Sequence, residues 1–250
     1  IDENTILNLA DPDDKDRDGI SGKVNYVLNE ESGKTELGRF GWKANQPSLR
    51  LQTAIAFLRD MGITSSIHPK EDFASKQEKI IKRNKDNEGP DIDHSKLERV
   101  VTYLRTLAPP AQRDPEAEPV RKGEEIFVQI GCAKCHVQTL KTGSNLAINE
   151  LENQTIRPYT DLLLHDMGDG LADGINHAKA SGKEWRTPPL WGIGLTEIVN
   201  GNVFFLHDGR ARNLQEAIMW HGGEGFSAKK AYSNLSKKER SLVLNFLRSL

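Results

Sequence analysis

Leu242, Val243, Phe246, Leu247 and Leu250 recur at a spacing of about 3.6 residues, so they share one face of a helix that closes the chain. Ser236 and Glu239 stand at capping-box spacing, where a hydroxyl and a carboxylate satisfy free amides of the first turn. The same outline occurs earlier: Ser95 and Glu98 open a stretch that runs to Tyr103-Leu104-Arg105-Thr106-Leu107. Ahead of each closing helix lies a matching segment, Leu51-Gln52-Thr53-Ala54-Ile55 in one case and Leu214-Gln215-Glu216-Ala217-Ile218 in the other. Two copies of one order predict two related, mostly helical modules. Between them, residues 108–119 hold four prolines in twelve positions and little apolar content, the pattern of a semi-rigid linker. The expected division is a first module over 1–108, a linker over 109–119 and a second module over 120–250. Residues 66–95 carry many charges of both signs and few large apolar side chains, which predicts a solvated insertion with at most a short helix near Glu78 to Arg83.

A chain of 250 residues, 36% hydrophobic and 28% charged, can bury one large core or two small ones and is not a disordered chain. The net charge of −2 gives no reason to expect nucleic acid or anionic lipid as the main partner. No apolar run reaches the roughly 18 to 20 residues of a membrane span, and the mean hydropathy is −0.59. The chain starts at Ile1 with neither an initiator Met nor a charged-then-apolar leader, which reads as a processed or cut terminus.

Both cysteines sit in Cys132-Ala133-Lys134-Cys135-His136, preceded by Gly123, Ile126, Phe127 and Gly131. C-x-x-C-H is the attachment sequence of c-type heme: two thiols add to the vinyl groups and the next residue supplies an axial nitrogen to iron. The upstream residues fit a helix that packs on the closing helix. A thioredoxin-like redox pair needs a βαβ context that is not evident here, and a structural zinc site lacks a fourth ligand. For the sixth iron position the candidates are His165, Met167, His207, Met219 and His221. Met167 lies in an acidic loop; His221 ends a helix stopped by Gly222-Gly223 and is preferred. Histidine on both sides would hold the potential lower than His/Met, because a thioether favours ferrous iron.

Several further stretches join this motif: Asp16-Arg17-Asp18-Gly19-Ile20-Ser21-Gly22, Gly38-Arg39-Phe40-Gly41-Trp42-Lys43-Ala44, Asp60-Met61-Gly62-Ile63-Thr64-Ser65, Glu184-Trp185-Arg186-Thr187-Pro188-Pro189-Leu190-Trp191-Gly192 and Phe205-Leu206-His207-Asp208-Gly209-Arg210. As a set they resemble the bacterial di-heme cytochrome c peroxidase superfamily, in its branch of di-heme oxidoreductases labelled predicted thiol oxidoreductases. The resemblance covers nearly the whole chain. It implies an all-α fold of two cytochrome c-like modules in tandem. The first would be incomplete at its N-terminus, because its own heme motif falls upstream of residue 1 in that layout.

The resemblance also implies roles. Trp42 matches the tryptophan that stands between the two hemes. Gln52 and Asp60 match a glutamine and a glutamate that serve the open iron, where the carboxylate moves a proton as the O–O bond breaks; Asp for Glu shortens that reach. His221 falls at the family's axial-methionine position. His207, Arg210 and Arg186 are candidates to hold heme propionates, since guanidinium pairs well with carboxylate. Asp14, Asp16 and Asp18 alternate as in a calcium loop with Gly19 at the turn, but position 12 of that count is Asn25, not Glu.

The expected function is electron transfer by a c-type heme to a second heme that reduces peroxide or a similar oxidant. A second heme module, a small redox protein as donor, a small-molecule oxidant and export to a periplasm go with it. The alternatives are a non-catalytic heme electron carrier, and thiol–disulfide exchange through Cys132 and Cys135.

Overall fold

The computed structural model describes residues 1–72, 89–144 and 146–250. The short helix expected near Glu78 to Arg83 lies outside the described residues. In chain order, α1 (Glu3–Leu9) precedes the hairpin of β1 (Tyr26–Leu28) and β2 (Thr35–Leu37), then α2 (Leu49–Met61) and α3 (His94–Thr106). Next come α4 (Glu118–Gln129), the pair β3 (Leu140–Lys141) and β4 (Thr155–Ile156), and the pair β5 (Leu164–Asp166) and β6 (Glu184–Arg186). Then α5 (Thr196–Asn200), α6 (Leu214–Trp220), α7 (Phe226–Asn234) and α8 (Lys237–Ser249) close the chain.

The expectation of an all-α chain of two cytochrome c-like modules is corrected. Three two-stranded antiparallel sheets accompany eight α-helices among the described residues, so the chain is mixed α/β. The strands run only two or three residues. That is shorter than the roughly four to eight residues over which an alternating pattern becomes visible.

By contacts the chain divides into two units, and the division does not follow chain order. One unit gathers Ile1–Asn25, Trp42–Ala44 and Pro109–Leu250; the other gathers Tyr26–Gly41 and Asn45–Ala108. In the second of these, β1 pairs β2 with Val27 opposite Glu36, and α2 packs on α3 through Ala54, Leu97 and Val101. The cap of α3 is Asp93, whose carboxylate accepts the Lys96 amide at 2.8 Å, rather than the expected Ser95. Glu98 pairs with Arg50 instead of closing a box. Asp91 accepts the Thr64 amide and hydroxyl, so the end of the charged insertion is tied down.

The larger unit is built on the crossing of α4 and α8. Phe127 and Tyr159 meet Phe246 edge to face, with Val243, Leu247 and Leu250 completing the core. The buried residues of α8 repeat at the helical period, and Ser236 with Glu239 forms the full capping box. β5 pairs β6 with His165 opposite Trp185, which brings residues twenty positions apart onto one wall.

Candidate functional site

α4 ends at Ile130; Gly131, at φ 90°, then takes the left-handed conformation that frees the chain for a tight turn over Cys132–Lys134. His136 follows, its amide bonded to the Cys132 carbonyl at 3.0 Å. A cavity of about 660 Å³ opens beside this turn, lined among others by Cys132, Cys135, His136, Met167, His221 and Arg186, all within the larger unit. That volume lies within the range of about 300–1,000 Å³ usual for cofactor pockets.

Two imidazoles face this cavity in the same state. His136 Nδ1 lies 2.9 Å from the Tyr159 carbonyl, and His221 Nδ1 lies 2.8 Å from the Ala217 carbonyl. A carbonyl only accepts, so each Nδ1 carries the hydrogen and each Nε2 keeps a lone pair. Neither Nε2 has a protein partner among the described residues. Burial pushes His136 down to about 4 and lowers His221 as well, so both rings are neutral near pH 7. Backbone carbonyls fix the tautomer and orientation that a metal-binding histidine needs.

The thiols are half-buried and protonated. Burial pushes Cys132 up to about 12 and raises Cys135. Thiol–disulfide exchange needs a thiolate; at Cys135 burial outweighs the neighbouring His165 that favours one, and at Cys132 no cation opposes burial.

Behind Cys135 stands His165, only 3% exposed. Its Nε2 is 2.8 Å from Asp161 Oδ2 and its Nδ1 is 2.7 Å from Glu224 Oε2. Cys135 Sγ is 3.7 Å from the same Nδ1. Burial alone would lower this histidine, but the bonds to Asp161, Cys135 and Glu224 outweigh it and raise it to about 12. His165 is therefore an imidazolium clamped between carboxylates, with no nitrogen left for iron. Glu224 also accepts the Ser21 amide and hydroxyl at 3.0 and 2.8 Å.

A second feature of the cavity wall is aromatic. His207 stacks on Trp185 with centroids 3.6 Å apart and planes 15° from parallel, and it meets Trp42 edge-on at 6.4 Å. Trp42 is 46% exposed, so it is no core tryptophan. Lys43, only 4% exposed, places Nζ 3.9 Å from the Trp185 centroid and binds Asp173 and the carbonyls of Ser181 and Glu184. Arg186 lines the cavity, and burial lowers it to about 10. Arg210 is engaged elsewhere: it binds Asp208 and the Gly170 carbonyl and lies over Trp220.

The structure thus brings Cys132, Cys135, His136, His221, His207, Arg186, Met167 and Trp42 to one cavity. Met219 is exposed on α6. Gln52 and Asp60 lie on α2 in the other unit, Asp60 exposed on its last turn. One carboxylate oxygen each of Asp14, Asp16 and Asp18 lies within 4.8 Å of the others, and Asp18 also binds Lys134 at 2.9 Å. Sequence reasoning missed Asp161, Glu224 and Lys43. Glu224 and Ser21 are 203 positions apart, and no local pattern announces such a pair.

The residues fit a heme. Two thiols for attachment and two neutral imidazoles with free Nε2 atoms share a cavity of cofactor size, and Arg186 offers a cation for a propionate. A family model described as "Di-haem oxidoreductase, putative peroxidase" matches residues 1–250. The chain belongs to this di-haem oxidoreductase family. Heme cofactors follow from that membership, and the chain has no helix among its described residues long and apolar enough to cross a membrane. No curated protein and no solved structure matches the chain.

Proposed function

We propose that this di-haem oxidoreductase chain holds one covalent c-type heme and serves as the electron-transfer part of a peroxidase-type enzyme. The observation that carries the reading is the pair of half-buried imidazoles, His136 and His221, each with Nδ1–H given to a carbonyl and both lining the cavity that also holds both thiols. Cys132 and Cys135 would attach the group, His136 and His221 would ligate its iron, and Arg186 and His207 would hold its polar edge. When bound, the heme supplies a one-electron carrier. The two cysteines suffice for one such attachment, so the second heme of the family's name belongs to a module outside this C-x-x-C-H. Trp42, exposed and edge-on to His207, is the residue through which electrons leave toward it. Gln52 and Asp60 serve the peroxide or similar oxidant. The donor is a small redox protein, and the setting is a periplasm, since c-type heme is attached outside the cytoplasm.

The test is an intact mass and a visible spectrum of the chain exported from a host with c-type heme maturation, beside a His221→Met variant. A protein-bound heme with a low-spin spectrum that shifts in the variant is expected. Two unmodified thiols and no heme would overturn the reading. A heme spectrum indifferent to the substitution would remove His221 as ligand.

A further inference from the structure

Met167 and His221 lie together although 54 positions separate them in the chain. A Cβ built on Gly225 would stand 3.2 Å from the Met167 Cε methyl, 3.2 Å from His221 Cδ2 and 3.1 Å from His221 Cβ. The Met167 methyl and the His221 ring edge next to Nε2 thus flank the same point above Gly225, and both residues line the same cavity. The backbones that carry them are also in direct contact. A Cβ on Gly222 would come within 2.8 Å of the Met167 carbonyl oxygen, and one on Gly223 would overlap the Asp166 carbonyl oxygen. Glu224 ties the same two segments, accepting the Asp166 amide at 3.2 Å and His165 Nδ1 at 2.7 Å. Two ligand-competent side chains therefore sit on one platform, and neither the Met167 sulfur nor His221 Nε2 has a protein partner among the described residues.

We propose that Met167 and His221 are alternative sixth ligands of the same iron, His221 in the ferric state and Met167 in the ferrous state. The inference rests on the heme reading above and deepens it. In the exchange the iron–nitrogen bond to His221 breaks and the iron–sulfur bond to Met167 forms; the electron comes from the one-electron donor that the carrier role already requires. Imidazole favours the ferric ion and thioether the ferrous one, so the preference reverses with oxidation state. The methionine side chain has three rotatable bonds, so its sulfur can swing without moving the platform. His221 leaves by rotating at the end of α6, where Gly222 and Gly223 follow it. Reduction then becomes easier than a fixed bis-histidine site allows.

The experiment uses the heme-loaded chain and three variants, Met167→Leu, His221→Leu and the double substitution. Proton NMR of the ferrous wild type is expected to show one methionine methyl moved far upfield by the porphyrin ring current, and Met167→Leu is expected to abolish it. Met167→Leu should leave the ferric visible spectrum unchanged and lower the reduction potential. His221→Leu should stay low-spin with thioether ligation and a raised potential, and the double variant should turn high-spin. A ferrous wild type without the shifted methyl, or a high-spin His221→Leu, overturns this inference alone. A chain that carries no heme overturns the parent reading and this one together.

Discussion

Gly123 packs against the Leu242 carbonyl oxygen so closely that an added methyl carbon would overlap it and would stand 2.7 Å from Phe246 Cβ. The obstacle is helix backbone, which cannot rotate aside. Gly123→Ala should therefore push α4 from α8 and cost about 1–3 kcal/mol, the range for overpacking a filled core. Denaturant titration of the heme-loaded chain measures it. Ala at Gly143, whose φ is not positive and where an added carbon meets only the Asp2 amide nitrogen at 3.9 Å, is the control for the general effect of the substitution.

His165 links stability to pH. Its folded value near 12 lies above the unfolded value of 6.5, so its contribution is complete below about pH 6.5 and is lost as pH rises toward 12. Glu224 runs the other way. Burial would raise it, the His165 bond and charge outweigh that, and its lowered value means a contribution present above 4.5 that is lost in acid. His165→Gln should flatten the alkaline fall and, by leaving two buried carboxylates without their cation, cost about 3–5 kcal/mol. Melting temperatures across the pH range, in both proteins, decide the matter.

Lys43→Met should destabilise the larger unit. The buried ammonium answers Asp173 and two carbonyl oxygens, and each group left unpaired costs about 1–3 kcal/mol. The same change removes the cation over Trp185. A lower denaturation midpoint together with altered tryptophan emission is the expected result.

In chain made without heme, alkylation of Cys132 and Cys135 should be slow at neutral pH. Burial raises both thiols, Cys132 to about 12, so the rate should go on climbing past 9.0, where an ordinary thiol levels off. A plateau at or below 9.0 would restore thiol chemistry as a contender.

What was legible in the sequence was local. The capping box of α8, its buried stripe and the helix that ends at His221 each depend on residues within a few positions of one another. The strands were not legible, because two or three residues show no alternation, and β5 meets β6 in a register that pairs residues about twenty positions apart, such as Leu164 with Arg186. Nor was the cap of α3: Ser95 and Glu98 had the right spacing, yet Asp93 stands two residues earlier and takes the amide first. At the cavity the heme motif is a contiguous run, whereas Asp161, Glu224 and Lys43 acquire meaning only from partners the fold delivers. A buried lysine followed by an alanine looks like surface until Trp185 and Asp173 close over it.

Ser21 reaches Glu224 across most of the chain, and that imposes an order on synthesis. During synthesis Ser21 emerges 203 positions ahead of Glu224, and this contact must wait until the later segment appears. Such distant closure is slow, and it leaves the early segment open to proteases and wrong partners in the meantime. Removing that segment to obtain a smaller heme protein would strip Glu224 of its serine and leave the ligand platform without its outer anchor.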